Sequence, residues 1–148
     1  MSITVRAAIL TDVSEIERIA GQSGLSTWTH QGYLDEIKRT DSIFLIVETD
    51  DRSVSGFVVG RVVPGPEAEI YNIAVAKKAR RRGLGRELLA EFISRCKAQR
   101  VRHIWLEVRH SNVNAISFYK KLGFGEVSVR PQFYSNPVED AVIMKLEI

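Results

Sequence analysis

The segment from Ala68 to Arg109 changes from a strand pattern to a helical pattern and back, and this change limits the possible folds more than any other feature. "AEIYNIAVA" and "HIWLEVR" are rich in the aliphatic and aromatic residues that favour strands. Between them, apolar residues recur at helical spacing, namely Leu84, Leu88, Leu89, Phe92, Ile93 and Cys96. A helix that joins two strands of one sheet makes them parallel neighbours, so we predict a βαβ unit.

The chain before this unit predicts two helices and further strands. Ile3–Ile9 has strand-forming residues, and Thr11 or Asp12 can cap the helix that follows it. His30–Arg39 predicts a second short helix, preceded by a mobile connection over Gly21–Trp28. "SIFLIVE" and "SGFVVGRVV" predict two strands that form a meander with "AEIYNIAVA", because turn residues separate all three segments.

The chain after this unit predicts one more helix and two strands. Ala115–Leu122 has a short helical pattern that Gly123 ends, with Ser111, Asn112 or Asn114 as its cap. "GEVSVR" and "DAVIMKLEI" predict the last two strands, and "HIWLEVR" predicts a strand covered on both faces. Together the segments predict a single α/β domain over residues 1–148, built on a mixed sheet.

The composition is that of a folded globular protein, since 45% of the 148 residues are apolar and 26% are charged. The N-terminus has no long apolar core, and no run of 18 apolar residues occurs, so we expect a cytoplasmic protein that is neither secreted nor membrane-spanning. The single cysteine, Cys96, has no partner for an internal disulfide and predicts a buried thiol. No Cys or His pair has metal-ligand spacing, so no metal site is predicted.

A cationic run, "KKARRRGLGR", precedes the helix of the βαβ unit and is interrupted by Gly83 and Gly85. Free amide groups at a helix start point outward and carry partial positive charge, which suits a phosphate. The two glycines let an oxygen approach the backbone and permit positive φ, and charge-assisted contacts can come from Arg81, Arg82 and Arg86. The run therefore favours a cradle for a phosphorylated ligand.

Other interpretations of the cationic run fit the sequence less well. No GxxxxGK[ST] motif occurs, and GxG is followed by Arg86 and Glu87 without completing GxGxxG, which disfavours a nucleotide triphosphatase or a dinucleotide oxidoreductase. A nucleic-acid surface is the alternative, but no interleaved aromatic residues accompany the arginines. The net charge is only +3, so the basicity is concentrated in this loop.

Three parts of the sequence resemble the GCN5-related N-acetyltransferase (GNAT) superfamily. Arg80-x-x-Gly83-x-Gly85 looks like its [QR]xxGx[GA] loop, and Leu106–Phe124 resembles the block that follows. The tail "VRPQFYSNPVEDAVIMKL" is similar to the ribosomal-protein-alanine acetyltransferase subgroup. The resemblance implies a mixed, mostly antiparallel sheet that splays between its central parallel strands, with helices on both faces. It also implies acetyl-coenzyme A (acetyl-CoA) as co-substrate.

The resemblance also implies which residues bind acetyl-CoA. The main chain of Ile73, Ala74 and Val75 would hold the pantetheine arm like an added strand, and the Val75 amide could serve as an oxyanion donor. The loop would grip the pyrophosphate through Arg80, Arg81, Arg82, Gly83, Leu84, Gly85 and Arg86. Asn112 and Tyr119 match positions beside the cofactor. The sequence departs from the family at Ala76-Lys77-Lys78, where members commonly have an Asp-Pro turn.

Two residues match the positions of the family's catalytic groups. Glu107 matches a carboxylate that acts as general base, and Tyr119 matches a tyrosine that protonates the leaving thiolate. A carboxylate with a pKa of about 4.3 is a weak base for an α-amine of about 7.7–8.0, so desolvation or a relay water must narrow the gap. Glu69, on the strand that leads to Val75, is the alternative base.

The acceptor is the least constrained part of the sequence-based hypothesis. The subgroup resemblance implies the N-terminal α-amine of a protein such as a small-subunit ribosomal protein, and a small amine or a lysine side chain is the alternative. A basic RNA-binding module without enzymatic activity is a third hypothesis. Residues of the tail match positions that could line an acceptor groove, namely Arg130, Phe133, Tyr134, Glu139 and Asp140. No chemistry is assigned to the three histidines, His30, His103 and His110.

Overall fold

The computed structural model describes residues 2–24 and 28–148, which form a seven-stranded mixed sheet with helices on both faces. The strands are β1 Thr4–Ala7, β2 Ser42–Glu48, β3 Val54–Val63, β4 Glu67–Val75, β5 His103–Arg109, β6 Gly125–Tyr134 and β7 Glu139–Glu147. The α-helices are α1 Val13–Gln22, α2 His30–Ile37, α3 Leu84–Ala98 and α4 Val113–Lys121. Short 3-10 turns span Leu10–Asp12 and Lys77–Ala79.

The strand order confirms the predicted βαβ unit and meander. The sheet runs β1-β2-β3-β4-β5-β7-β6, and every neighbouring pair is antiparallel except β4 and β5. The parallel pair is joined by α3, as the change of periodicity predicted.

The two central parallel strands separate at their carboxyl ends. Glu67–Ile70 of β4 pair with His103–Leu106 of β5, and the pairing ends there. Beyond that point β4 stays paired with β3 as far as Val75, and β5 stays paired with β7 as far as Arg109. The sheet is therefore forked, and the fork opens where β4 leads into the cationic loop.

Glycines on β3 show how closely α3 approaches one face of the sheet. A Cβ atom at Gly56 would lie 3.2 Å from Leu88, and one at Gly60 would lie 2.6 Å from the Phe92 ring. Phe57 points to the opposite face, because side chains alternate along a strand. There its ring lies 6.3 Å from that of Tyr33 on α2. The helices thus cover both faces, and buried aliphatic and aromatic side chains fill the two interfaces.

The helix ends correct two details of the sequence-based prediction. Gly21 and Gln22 belong to α1, because Gly24, with φ of 64°, is the left-handed residue just beyond its end. Leu25–Thr27, also in the predicted connection, lie outside the described residues. Asp12 holds the cap position of α1, but its carboxylate accepts hydrogen bonds from Arg6 and from the Ile9 amide instead of capping the helix.

The prediction that β5 is covered on both faces is wrong. Ile104, Leu106 and Val108 are buried, whereas the alternate residues are only half-buried. The half-buried face carries Trp105 and Glu107 and looks into an open cleft, as described below.

Cys96 is buried in the α3 interface, as predicted, and burial raises the pKa of its thiol to about 12. None of the described helices is both long enough and apolar enough to cross a lipid bilayer.

Candidate active site

A cleft of about 1410 Å³ occupies the fork of the sheet. Its walls come from the diverging ends of β4 and β5, the start of α3, one side of α4 and the β6–β7 hairpin. The cleft brings together almost all the predicted site residues: Ile73, Ala74, Val75, Arg80, Arg81, Gly83, Leu84, Gly85, Arg86, Glu107, Asn112 and Tyr119. Arg82 is exposed and is not among the described residues that line it.

The end of β4 presents backbone groups to the fork. The Ala76 amide donates to the Ser55 carbonyl on the β3 side at 2.8 Å. Because hydrogen bonding alternates along an antiparallel pair, Ala74 also turns its backbone groups to β3, whereas Ile73 and Val75 turn theirs toward the fork. An extended ligand arm can therefore add to this edge as a strand would, through Ile73 and Val75 but not through the backbone of Ala74.

The start of α3 is built for an anion. Gly83 precedes the helix with φ of 77°, and a Cβ atom at this position would meet open space. The first intrahelical bond runs from the Glu87 amide to the Gly83 carbonyl, so the amides of the first three helical residues have no partner within the helix. Free amides at a helix start and an open approach over Gly83 fit the pyrophosphate of acetyl-CoA.

Arg80 lines the cleft, but its guanidinium bonds to protein atoms. Its Nε donates to the Val75 carbonyl at 3.2 Å, and its Nη2 lies 3.4 Å from the Gln22 carbonyl and 3.3 Å from Ser23 Oγ. Arg80 therefore ties the loop to β4 and to the end of α1. Among the arginines that line the cleft near the start of α3, Arg81 and Arg86 are the better candidates for direct phosphate contacts.

Tyr119 reaches the fork from α4. Its side chain is only 7% exposed and packs edge-on between Phe118 and Phe124, and it also lines the cleft. Burial raises the pKa of its phenol well above the ordinary value of 10, so the group is protonated at neutral pH. Asn112 caps α4 by accepting from the Ala115 amide at 3.2 Å, and it borders the cleft as well.

Glu107 projects into the cleft from β5 and is paired with an arginine from the edge of the sheet. Its Oε1 lies 3.2 Å from Arg130 Nη1, and its side chain is 31% exposed. Arg109, the partner that strand spacing suggests, bonds instead to Glu139 and to the carbonyls of Ser135 and Pro137. Glu107 is therefore a solvent-accessible carboxylate held at the cleft by a half-exposed cation.

The wall below Glu107 carries two further carboxylates and several aromatic rings. Glu67 accepts a hydrogen bond from Trp105 Nε1 at 2.6 Å. Glu69 is two residues further along β4, so it lies on the same face of the strand as Glu67. Tyr71 lies beside Glu69, and desolvation, with the Glu69 charge, raises the pKa of its phenol. The Trp28 ring is 6.1 Å from that of Tyr71. This half of the cleft is suited to a cationic amine flanked by apolar groups.

An ion pair between a buried glutamate and a half-buried arginine lies beside this wall, and the sequence did not predict it. Glu36 of α2 is 3% exposed and binds Arg61 of β3 through two hydrogen bonds, at 2.9 and 2.6 Å. The Arg61 guanidinium lies over the Tyr71 ring at 5.3 Å. The two charges are 25 residues apart on different elements, so no local pattern in the sequence indicates their contact.

The tail residues divide into two groups. Arg130, Phe133 and Tyr134 line the cleft, and their contact with an acceptor stays a prediction. Glu139 and Asp140 were expected to face the acceptor but instead bond to the backbone, Glu139 at the Ser111 amide and Asp140 at the Gln132 amide. Ser111 and Arg109 hold the Glu139 carboxylate, and the hydrogen bonds from Ser111, followed by that from Arg109, lower its pKa. The described residues hold no cluster of His, Cys, Asp or Glu suited to a metal.

A family model described as the acetyltransferase (GNAT) family matches residues 11–124, which include the fork, the loop and α4. The chain belongs to the GNAT family. Together with the relatives described next, this makes it an acetyl-CoA-dependent N-acetyltransferase, as the resemblance implied.

Similar proteins and solved structures support this placement within the GNAT family. The [ribosomal protein bS18]-alanine N-acetyltransferase of Salmonella typhimurium is 43% identical over 106 residues, which cover 70% of each chain. The crystal structure of the ribosomal-protein-S18-alanine N-acetyltransferase from Escherichia coli matches with a TM-score of 0.89 and 31% identity, over 99% of this chain and 94% of that chain. Ard1 from Thermoplasma volcanium matches with a TM-score of 0.90 and 32% identity, over 100% and 99% of the two chains.

Proposed function

We propose that this GNAT enzyme acetylates the N-terminal α-amine of a protein that begins with alanine, and that this protein is ribosomal protein bS18. The observation that carries the proposal is the arrangement of the fork, in which the Glu107 carboxylate and the Tyr119 phenol line one cleft with the free edge of β4. The names of the relatives from Salmonella typhimurium and Escherichia coli support this acceptor. A ribosomal protein is made in the cytoplasm, so the proposal places the enzyme there.

The chain's own residues supply the requirements of acetyl transfer. The amides of α3 and the guanidiniums of Arg81 and Arg86 bind the pyrophosphate, and the backbone of Ile73 and Val75 orients the pantetheine arm. The Val75 amide points into the fork and donates to the thioester oxygen as negative charge develops there. Positioning of this kind accounts for a large part of the rate enhancement.

Two proton transfers complete the reaction. The acceptor nitrogen forms a bond to the acetyl carbon, and Glu107 accepts the proton lost by the amine, directly or through one water. The carbon–sulfur bond breaks, and Tyr119 donates its phenolic proton to the departing thiolate. Because burial raises the pKa of Tyr119, the phenol is a weak acid for this step. The thiolate must therefore form in the same desolvated surroundings, which raise its own proton affinity. Glu69 is the alternative base.

An acceptor comparison tests the proposal. We expect turnover with a peptide that carries the N-terminal sequence of bS18 and begins with alanine. We expect no turnover with the same peptide blocked by Nα-acetylation, because the block removes the α-amine. Any lysine side chain in the peptide would then be the only remaining amine, and it is not the proposed acceptor. Free lysine, a polyamine and an aminoglycoside test the alternative class of small acceptors. Rapid turnover of a small amine with none of the alanine peptide would contradict the proposed acceptor while leaving the acetyltransferase chemistry intact.

A further inference from the structure

Arg130 is the cation that occupies the proposed base. The only ion pair of Glu107 among the described residues joins its Oε1 to Arg130 Nη1 at 3.2 Å. Arg109, two residues from Glu107 on β5, is held by Glu139 and by two backbone carbonyls instead. The oxygen proposed to accept the proton of the acceptor is therefore bonded to a cation of the enzyme itself.

An irregular bulge of β6 begins just after Arg130 and is fixed by a side chain of β7. Residues 131–133 of β6 lie opposite Asp140 alone, because the register shifts between Arg130 and Tyr134. The Gln132 amide donates to Asp140 Oδ1 at 2.9 Å, and Gln132 has a left-handed φ of 51°. Bulges re-aim side chains, so the regular alternation of β6 is interrupted at the point where it borders the cleft.

The bulge brings the Phe133 ring to the Arg130 guanidinium. In a regular strand, residues three apart point to opposite faces of the sheet. Here the guanidinium carbon lies 5.0 Å from the centre of the Phe133 ring, within the range of a cation–π contact. Arg130 is thus held at Glu107 by two contacts of a half-exposed side chain, and it can leave without disturbing the core.

A carboxylate paired in this way distinguishes an amine from water. A guanidinium bonded to a carboxylate favours its charged form, so the pair must separate before the carboxylate takes up a proton. An α-amine is mostly protonated at neutral pH, so the acceptor arrives as a cation and can replace the guanidinium as counter-ion. Neutral water carries no charge with which to replace it.

We propose that Arg130 is a counter-ion that keeps Glu107 from activating water and gives way to the ammonium group of the acceptor. It protects acetyl-CoA from hydrolysis until an amine arrives. In that hydrolysis the oxygen of water bonds to the acetyl carbon and Glu107 takes the proton of the water. The carbon–sulfur bond breaks and Tyr119 protonates the thiolate, giving acetate and coenzyme A. Arg130 acts through Glu107 and is a positioning residue, and the inference rests on the proposed function in taking Glu107 as the base.

Hydrolysis of acetyl-CoA without any acceptor tests this role, with release of the coenzyme A thiol as the measurement. Arg130→Gln removes the charge, and we expect its hydrolysis rate to rise about three- to fivefold, the size of effect that a half-exposed ion pair supports. Arg130→Lys keeps the charge and should stay within about twofold of wild type. Arg95→Gln is the matched control, because Arg95 pairs with Glu91 on α3 at the same distance of 3.2 Å and is also half exposed. Its hydrolysis rate should equal that of wild type.

A second substitution shows whether the added hydrolysis passes through Glu107. In a Glu107→Gln background, adding Arg130→Gln should change the hydrolysis rate by less than about twofold, because the pair no longer exists. Unchanged or slower hydrolysis in Arg130→Gln, or an equal rise in the Glu107→Gln background, overturns the proposal. The hydrolysis assay contains no acceptor, so failure of the alanine peptide as a substrate would appear only in the peptide assay.

Discussion

Arg130 places its Nη1 3.2 Å from Oε1 of Glu107, across the intervening strand β7. The arginine is half exposed and also lies over the Phe133 ring at 5.0 Å. An incoming ammonium group can therefore compete with Arg130 for the Glu107 carboxylate at the point where the acceptor must lose a proton. This competition would bring the amine to its base.

Replacing Glu107 with glutamine tests its role as the base. Glu107→Gln keeps the shape of the side chain but cannot accept a proton, so we expect kcat to fall about 10²–10⁴-fold. The Kd for acetyl-CoA should stay within about threefold, because the carboxylate is not among the proposed cofactor contacts. Glu69→Gln is the matched variant on the other strand of the fork. A large loss of kcat in Glu69→Gln, with little loss in Glu107→Gln, would transfer the role to Glu69.

Replacing Tyr119 with phenylalanine removes the proposed acid and little else. The ring contacts to Phe118 and Phe124 remain, so stability should change little. We expect kcat to fall about 10²–10⁴-fold, with acetyl-CoA affinity retained. Phe118→Leu is a control for the aromatic packing of α4 and should affect turnover less. Steady-state kinetics together with direct titration of acetyl-CoA distinguish these outcomes, and unchanged turnover in Tyr119→Phe would remove it from the mechanism.

Gly60 and Gly21 should respond oppositely to alanine. A Cβ atom at Gly60 would lie 2.2 Å from the Glu69 carbonyl oxygen and 2.6 Å from Phe92, both part of the β3–β4–α3 interface. We therefore expect Gly60→Ala to lower the free energy of unfolding by about 1–3 kcal/mol or more. Gly21 is helical with nothing within 4 Å of its Cβ position, so Gly21→Ala should raise the free energy by about 0.5–1 kcal/mol. Urea unfolding measures both, and equal stability of the two variants would contradict the packing described.

Asp12 should make stability depend on pH in the acid range. Burial disfavours its charge, but hydrogen bonds from Arg6 and Ile9 outweigh this and lower its pKa below the ordinary 3.8. A lowered pKa stabilises the fold above the unfolded-state pKa, and that stability is lost as the pH falls through the folded-state pKa. Asp12→Asn should thus lower the free energy of unfolding by about 1–3 kcal/mol at pH 7, and by progressively less below about pH 4. Urea unfolding of the wild type and of Asp12→Asn across this pH range measures the difference. A difference in the free energy of unfolding that stayed constant with pH would contradict the lowered pKa of Asp12.

The sequence predicts the elements and the family because their signals are local. Leu84 to Cys96 at helical spacing, and the glycines that interrupt the cationic run, each depend on residues within a few turns of one another. The GNAT resemblance then supplied the fork and the placement of Glu107 and Tyr119, which no periodicity reveals. The order of the strands around the fork agreed with that expectation.

The contacts that complete the cleft could not be predicted in the same way. Arg61 meets Glu36, and Arg80 meets Gln22, only because the sheet brings distant segments together. The prediction for Glu139 in the tail was wrong for a related reason. The register of the β6–β7 hairpin directs its carboxylate to Arg109 and to the Ser111 amide. Long-range pairing of this kind depends on the three-dimensional arrangement, and charge pattern alone does not determine it.

We propose that the start of α3 and the free edge of β4 bind acetyl-CoA, and isothermal titration of the wild-type protein with acetyl-CoA tests this binding most directly. We predict saturable binding of one molecule per chain with a Kd below about 1 mM, which is the upper end of the usual range of substrate KM values. The affinity should fall as salt is added, because guanidiniums and helix amides hold the phosphates. A titration without saturable heat, in protein shown to be folded, would contradict the account.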